Sequence, residues 1–267
     1  MASDAFRRPP LGESLAVQGR VVGALLIREL LTRYGRHNLG FLWLFFEPML
    51  FTLGVTALWT ATQKLHGSDL PIAAFALTGY GTVLLWRNMP ARCIGALWQN
   101  SALLYHRNIK PLDIYLARVL LEFAGATISF IVLGLIFIAT ELIEPPEDVL
   151  LVTGGWLIIS WFGMGMAITL GAMSYVSELV DKFWHPASYL LFPLSGAAFL
   201  VSALPEYAQD VVLLLPIVHG VEMVRDGYFG SKITPIYDLG YVIPFNLILS
   251  VIALLFLRYV SRRVVPG

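Results

Sequence analysis

The stretch LWQNSALLYHRNIKPLD, residues 97–113, is a polar and basic interruption between two long apolar runs. What surrounds it decides the fold class, because 57% of the 267 residues are hydrophobic and only 13% are charged. A soluble globular domain carries roughly a quarter charged residues. We therefore predict an all-α membrane protein, in which this stretch connects two spanning helices outside the bilayer.

Within this stretch the sequence predicts a short amphipathic helix over residues 100–111. Asn100 and Ser101 can cap such a helix, and Pro111 can end it. An exposed apolar element rimmed by cations is typical of a docking surface for a soluble protein. A surface helix resting on lipid fits the composition equally well. The residues assigned to this docking role are Asn100, Leu103, Leu104, Arg107, Lys110 and Pro111.

Spanning helices need about 20 apolar residues, because the hydrocarbon core is about 30 Å thick. Six segments meet this requirement: 39–62, 72–93, 114–140, 149–176, 183–203 and 241–260. Six spans leave both termini on one side of the membrane. All but three of the 18 lysines and arginines then fall on that side, the exceptions being Lys64, Arg225 and Lys232. By the positive-inside rule we expect both termini in the cytoplasm.

The segment before the first span, VVGALLIRELLTRYGRH at residues 21–37, has an apolar and a basic helical face. It predicts an interface helix, to which Arg28, Arg33 and Arg36 are assigned, with the basic face that holds Arg28 and Arg36 towards anionic headgroups. Contact of the polar face with a cytosolic partner is the alternative. Residues 1–20 are interpreted as a cytoplasmic tail without a signal peptide. Residues 38–267 form a single transmembrane domain.

Glu47 and Arg87 are two of the charged residues that fall inside predicted spans. Glu47 lies about eight residues into the first span, where a carboxylate is costly and indicates a function, protonation or an ion pair, for example with Arg87. Arg87 could extend to the inner surface, or face inward as a cation for an acidic substrate. The candidate residues for a substrate channel are Trp43, Phe46, Glu47, Trp59, Trp86 and Arg87. The aromatic residues among them could instead form an interfacial belt.

The long segment before the last span contains the apolar run VVLLLPIV, residues 211–218, which is too short to cross a membrane. It predicts a pair of external re-entrant half-helices over 205–219 that close the outer end of a path. The residues assigned to this gate are Pro205, Tyr207 and Pro216. A plain amphipathic helix on the outer face is the alternative.

Several catalytic and binding motifs are absent from the sequence. No G-x-x-x-x-G-K-[ST] loop is present to bind nucleotide phosphates, and the five histidines have no metal-ligand spacing. We expect neither a metal nor a nucleic acid as a ligand, and no catalytic residues. The spans lack paired carboxylates for an ion relay, which disfavours a secondary transporter. A transporter of this kind would take its energy from another polypeptide.

Two motifs resemble those of a known family. RELLTRYGR-x-x-LGFLW-x-x-x-EP, residues 28–48, resembles the opening of the polysaccharide-exporting ABC permeases. NSALLYHRNIKPLD, residues 100–113, followed by Arg118, Leu121 and Glu122, resembles the capsular-polysaccharide (Kps-type) branch. The exporters of O-antigen and teichoic acid share this layout and remain alternatives. An integral membrane enzyme is a further alternative, disfavoured by the short loops and missing acidic clusters.

The resemblance implies a homodimer that pairs with two ATP-binding cassette subunits, which bind the ATP and Mg²⁺. Residues 100–111 would be the coupling helix seated in the ATPase, residues 21–37 the interface helix, and 205–219 the periplasmic gate. The cargo would be a lipid-linked acidic capsular polysaccharide, passed to a periplasmic co-polymerase and an outer-membrane channel. The implied location is the inner membrane of a Gram-negative bacterium.

Overall fold

The computed structural model describes residues 11–35, 38–62, 70–105 and 109–264. These residues form α-helices and two short 3-10 turns, and no strand occurs among them. The helices are α1 Leu11–Tyr34, α2 Asn38–Thr62, α3 Ile72–Cys93, α4 Ala96–Gln99, α5 Ser101–Leu104, α6 Pro111–Ala139, α7 Val149–Val176, α8 Leu179–Leu194, α9 Glu206–Val212, α10 Pro216–Phe229 and α11 Leu239–Val264. The predicted all-α class is confirmed for the described part of the chain.

Four of these helices are long and apolar enough to cross a membrane: Leu42–Ala61, Pro111–Ala139, Val149–Val176 and Leu239–Arg263. A fifth span results if the bent pair Glu206–Val212 and Pro216–Lys232 is counted as one. α3 coincides with the second predicted span, but its polar last third makes it less apolar than these four. The count of six spans therefore stays a prediction.

The core of the bundle lies between α3 and α7. α7 packs on α3, α10 and α11, and α3 packs on α6 and α2. Glycine permits the closest of these approaches. A Cβ atom on Gly155 would lie 2.7 Å from the amide nitrogen of Val224 and 2.9 Å from the carbonyl oxygen of Gly220. α7 and α10 therefore meet backbone to backbone. Cys93, at the end of α3, is fully buried in the same core.

The fifth predicted span, residues 183–203, is not one continuous helix. α8 begins at Leu179 and ends at Leu194, nine residues before the predicted end. Pro193 lies in its last turn, and Gly196 has a φ of +84°, which ends the helical path. Residues 195–200 continue as irregular backbone that leads into a 3-10 turn at Val201–Ala203.

The irregular backbone after α8 takes its hydrogen bonds from Arg225 on α10. The guanidinium of Arg225 donates to the carbonyl oxygens of Gly196 at 2.6 Å, of Ala197 at 2.8 Å and of Phe199. Arg225 is fully buried, and its guanidinium carbon lies 4.0 Å from the centre of the Phe75 ring. Non-helical backbone inside a membrane protein is tolerated where the protein itself satisfies its polar groups. Arg225 therefore explains how the chain can leave the helix at this point.

The N-terminal helix is longer than predicted. α1 begins at Leu11 rather than at residue 21, so a tail that extends to residue 20 is too long. The helix ends at Tyr34, where Gly35 adopts a φ of +79° and donates its amide to the carbonyl oxygen of Leu31. One face of α1 packs through Leu25, which is buried in the core.

Candidate functional site

A charge network joins α1, α3 and α6 at the end of the bundle that carries α1. It consists of Glu29 and Arg33 on α1, Arg92 on α3, and Arg118 and Glu122 on α6. Glu29 lies 3.2 Å from Arg118 and 3.4 Å from Arg33, while Glu122 pairs with Arg33 and lies 3.4 Å from Arg92. Buried charges are costly unless paired, and each of these has an opposite charge within reach.

Arg118 is the member of this network with the widest set of contacts. Only 9% of its side chain is exposed. Besides its ion pair with Glu29, it donates to the carbonyl oxygen of Arg92 at 2.5 Å and to the Oε1 atom of Gln99 at 2.8 Å. One guanidinium thus holds α6 against α1, the end of α3 and α4. No functional role was predicted for Arg118, although an arginine and a glutamate four residues apart in an otherwise apolar helix indicate one.

The predicted helix over 100–111 is wrong in extent. The structure has two single turns instead, α4 and α5, and residues 106–108, including Arg107, lie outside the described residues. Pro111 does not end a helix. It is the first residue of α6, where its fixed φ suits the helix and its missing amide proton costs nothing. Lys110, just before it, donates its backbone amide to the Asp113 carboxylate at 2.8 Å.

Asn100 precedes α5, but its side chain does not cap that helix. Its amide nitrogen donates to the carbonyl oxygen of Ala96 at 2.9 Å, and its Oδ1 atom accepts from Arg28 of α1 at 2.6 Å. Asn100 therefore links the short turns to α1.

The leucines of this stretch were expected to be exposed, and the structure corrects this. Leu104 is only 5% exposed and belongs to the core, while Leu103 is half-buried against it. The exposed apolar residues are Trp98 at 59% and Tyr105 at 81%. Trp98 stacks on Tyr175 of α7, with ring centroids 4.7 Å apart. A surface here would be aromatic rather than aliphatic.

The described arginines of α1 differ in their surroundings. Arg33 is largely buried and binds Glu122, so it does not face a lipid surface. Arg28 is exposed and donates to the side chain of Asn100, so its contact with headgroups stays a prediction, and Arg36 lies outside the described residues. Burial alone would lower the pKa of Arg33, but the charge of Glu122 and the hydrogen bonds to Tyr34 and Glu122 together raise the pKa above its ordinary value. The exposed positions of α1 include the apolar residues Val17, Ala24, Ile27 and Leu31 as well as Arg20 and Arg28.

A cavity of about 590 Å³ lies beside the network, between α2, α3, α6 and α8. Its lining includes Glu47, Arg87, Asn88, Glu122, His185 and Tyr189. Two residues predicted from separate spans, Glu47 and Arg87, therefore reach one space. Among the described side chains they form no ion pair within 4.0 Å. Arg87 stacks instead on Tyr189, its guanidinium carbon 4.5 Å from the ring centre.

The four aromatic channel candidates divide into two groups. Trp43 and Phe46 on α2 are each about half exposed and face away from the core. Trp59 is nearly buried, with its ring 5.2 Å from that of Tyr80, and Trp86 is fully buried. The cavity therefore takes its aromatic lining from other residues, such as Tyr189 and Trp184 of α8.

Two helices, α9 and α10, lie in the segment predicted to form half-helices and meet at an angle of 108°, whereas their re-entrant placement and role as a gate stay predictions. α10 runs to Phe229, ten residues beyond the predicted end at 219. Pro205 caps the start of α9, Tyr207 is exposed, and Pro216 is the buried first residue of α10.

Two polar side chains of α10 fix the segments around the bend. His219 contacts the carbonyl oxygen of Leu213 at 2.8 Å and accepts from the amide of Asp238 at 2.9 Å. Glu222 is buried and accepts from the amides of Val201 at 3.3 Å and Ile236 at 3.1 Å. α10 thus holds the chain that precedes it and the chain that follows it.

Comparison with known proteins places this arrangement among membrane transporters. Residues 20–229 match the family described as ABC-2 type transporter. The chain is 42% identical over 262 residues to the capsule polysaccharide export inner-membrane protein CtrC of Neisseria meningitidis serogroup B, which covers 98% of this chain and 99% of that protein. It is 40% identical over 254 residues to the capsule polysaccharide export inner-membrane protein BexB of Haemophilus influenzae, with 95% and 96% covered. It is 30% identical over 249 residues to the polysialic acid transport protein KpsM of Escherichia coli, with 91% and 94% covered.

Proposed function

Because this chain belongs to the ABC-2 type transporter family, we infer that it is the inner-membrane permease of an ATP-driven exporter of capsular polysaccharide. The observation that carries this conclusion is identity of 40% or more over almost the entire length of capsule export proteins. The ATP and Mg²⁺ are bound by a separate ATP-binding cassette subunit. The cargo is a lipid-linked acidic polysaccharide.

The proposed topology has six spans, formed by α2, α3, α6, α7, α8 with its irregular extension, and α11. Arg225 supports the fifth span, since it satisfies carbonyl groups that a continuous helix would have paired internally. α9 and α10 form a re-entrant pair at the periplasmic side and act as the gate. Both termini and the α4–α5 turns lie in the cytoplasm, where most of the lysines and arginines fall.

Residues 96–111 form the coupling segment that seats in the ATPase. The contacts of Arg118 support this proposal, because they join this segment rigidly to α1 and to two spans. A displacement of α4 by the ATPase is thereby transmitted to α3 and α6. α1 is the interface helix, and its charge network makes it part of the same moving unit.

Two copies of the chain form the translocation path, since a long polymer needs a continuous channel rather than an occluded pocket. The half-exposed Trp43 and Phe46 on α2 support a role at the interface between the copies or along the path. The cavity with Glu47 and Arg87 opens beside them. A periplasmic co-polymerase and an outer-membrane channel receive the polymer.

The proposal is tested by co-purification of the detergent-solubilised, tagged chain with an ATP-binding subunit. Tyr105→Asp places a charge on the exposed coupling surface without disturbing the core, and we expect it to abolish co-purification. Tyr207→Asp changes an equally exposed tyrosine on α9 and serves as the matched control. A chain that purifies without any ATPase under gentle conditions, or an ATPase retained by Tyr105→Asp, would contradict the coupling assignment.

O-antigen or teichoic-acid export is the second candidate function, since those exporters share the layout. The glycan that accumulates inside cells lacking this chain decides between the cargoes. We expect an acidic capsular polymer still attached to its lipid. Accumulation of an O-antigen or teichoic-acid precursor would move the chain to that branch.

A further inference from the structure

We propose that the cavity between α2, α3, α6 and α8 is a subsite that binds one oxyanion-bearing unit of the glycolipid cargo, with Arg87 as its anion-binding residue. This inference rests on the proposed function and names the part of the cargo that the site recognises. The oxyanion is either a sugar carboxylate of the polymer or a phosphate of the lipid anchor. A carboxylate is planar and a phosphate is tetrahedral, but each presents two oxygen atoms that a guanidinium can bind with two parallel hydrogen bonds.

Arg87 is a cation without an acidic partner among the described side chains. Arg92, the other arginine that lines the cavity, forms an ion pair with Glu122, whereas no ion pair or hydrogen bond among the described residues includes Arg87. Its guanidinium carbon lies 4.5 Å from the centre of the Tyr189 ring, a cation–π contact that uses none of its N–H donors in a hydrogen bond. A half-buried guanidinium that faces a cavity with free donors is suited to an anion that enters the cavity.

Glu122, one of the acidic residues that line the cavity, does not neutralise Arg87. Glu122 is already shared by Arg33 and Arg92 of the charge network. Arg92 is in turn paired with Glu122. Among the described residues that line the cavity, Arg87 is therefore the arginine that remains free to bind cargo.

The other residues that line the cavity are suited to contact the hydroxyl groups and the apolar face of a sugar ring. Glu47 on α2 has no ion pair among the described residues, and its carboxylate can accept hydrogen bonds from sugar hydroxyls. Tyr189 offers an exposed aromatic face for the apolar side of a pyranose, and Asn88 adds an amide. A volume of about 590 Å³ is in the range of small-molecule sites, and suits a short part of a polymer rather than a long one.

A single free cation also suits a site through which a polyanion must pass. A row of unpaired arginines would hold the polymer too tightly, whereas conduction requires that each unit can leave again. One cation, one carboxylate and one aromatic face recognise a unit and release it.

The test uses the purified complex of the chain with its ATP-binding subunit, in lipid nanodiscs. Three probes are compared: a short uronic-acid oligosaccharide, its carboxyl-reduced neutral analogue, and a sugar phosphate. We expect the neutral analogue to bind roughly tenfold more weakly than the better of the two anionic probes, as expected for loss of a charge-assisted hydrogen bond. Arg87→Ala is expected to remove this preference, and Arg87→Lys to keep part of it. Arg258→Ala, an exposed arginine on α11, is the matched control and should bind like the parent.

The binding results for the three probes and the variants each support or overturn the subsite. Preference for the uronic acid assigns the subsite to the polymer, and preference for the phosphate assigns it to the lipid anchor. Equal binding of the neutral analogue, unchanged binding by Arg87→Ala, or no binding of either anion to an intact complex would overturn the subsite. Those results leave the proposed function standing, because that function fails only if no ATPase co-purifies or if cells export capsule normally without this chain.

Discussion

The carboxylate of Glu29 on α1 lies 3.2 Å from the Nε atom of Arg118 on α6, in a region where both side chains are largely buried. The same guanidinium binds the backbone of α3 and the side chain of Gln99 on α4. A helix that precedes all the predicted spans is therefore tied to α3, α4 and α6. Movement of α1 or α4 cannot leave α6 unaffected while these contacts persist.

Arg118 is expected to matter for coupling more than for assembly. Arg118→Lys keeps the charge but cannot contact Glu29, Gln99 and the Arg92 carbonyl together, because an ammonium lacks the fork of the guanidinium. We expect ATP hydrolysis to continue while capsule at the cell surface falls by roughly tenfold, as for the loss of one or two charge-assisted hydrogen bonds. Surface polymer and ATPase activity are measured in parallel, with Arg258→Lys as the control. Normal export by Arg118→Lys would show that the contacts do not transmit movement.

Arg225 is expected to be a major determinant of stability. Arg225→Ala leaves the carbonyl oxygens of Gly196, Ala197 and Phe199 without their donor, and Glu222 without its neighbouring cation at 3.9 Å. Removal of one partner of a buried charged pair costs about 3–5 kcal/mol. The melting temperature of the purified chain should fall sharply, whereas Lys232→Ala, at an exposed pair, should leave it nearly unchanged. A small effect of Arg225→Ala would mean that water or another donor replaces the guanidinium.

Gly155 tests the close approach of α7 and α10. A methyl group there would lie 2.7 Å from a backbone nitrogen, which cannot move aside as a side chain could. We expect Gly155→Ala to destabilise the chain by about 1–3 kcal/mol, as for overpacking of a core. Gly54→Ala on α2 is the matched control, because its Cβ would have no neighbour within 4 Å. Thermal unfolding in detergent that is identical for the two variants would contradict the packing.

The ion pair of Glu144 and Lys232 should make stability depend on pH only at the extremes. The hydrogen bond and charge of Lys232 lower the pKa of Glu144 below its usual 4.5, and the hydrogen bond to Glu144 raises the pKa of Lys232 above 10.5. The contribution of Glu144 is then present above pH 4.5 and lost as the pH falls through its lowered pKa. That of Lys232 is present below pH 10.5 and lost as the pH rises through its raised pKa.

The difference in melting temperature between the parent and Lys232→Gln measures this pair. It should be small, constant through neutral pH and reduced by salt, because both side chains are substantially exposed. It should vanish in strong acid. A difference that grows as the pH falls would mean that another group is responsible.

The sequence predicted those features that depend on composition along the chain. Predicted spans 72–93 and 149–176 coincide with α3 and α7, because predominantly apolar segments of this length have few alternatives to a helix in a membrane. The assignment to capsule export rested on two motifs, and similarity over nearly the whole chain confirms it. Glu47 and Arg87 were singled out as charges inside apolar runs, and both line one cavity.

Features that depend on contacts distant in sequence were missed. Arg225 looked like an external cation, but its partners are backbone carbonyls 26 to 29 residues earlier, which no side-chain pattern reveals. Leu104 looked exposed because its neighbours are polar, yet a single helical turn can direct one leucine into the core. The partners of Arg28 and Arg33, Asn100 and Glu122, were also missed, because periodicity defines the faces of a helix without showing what each face touches.

The complete burial of Cys93 has a practical consequence. It is the sole cysteine of the chain, and reagents that modify thiols need an accessible thiolate. A cysteine introduced at an exposed position outside the proposed functional surfaces, such as Leu150, would be the only accessible thiol in an otherwise native protein. Spin labels or fluorophores attached there would report distances between copies in the proposed dimer without prior removal of native cysteines.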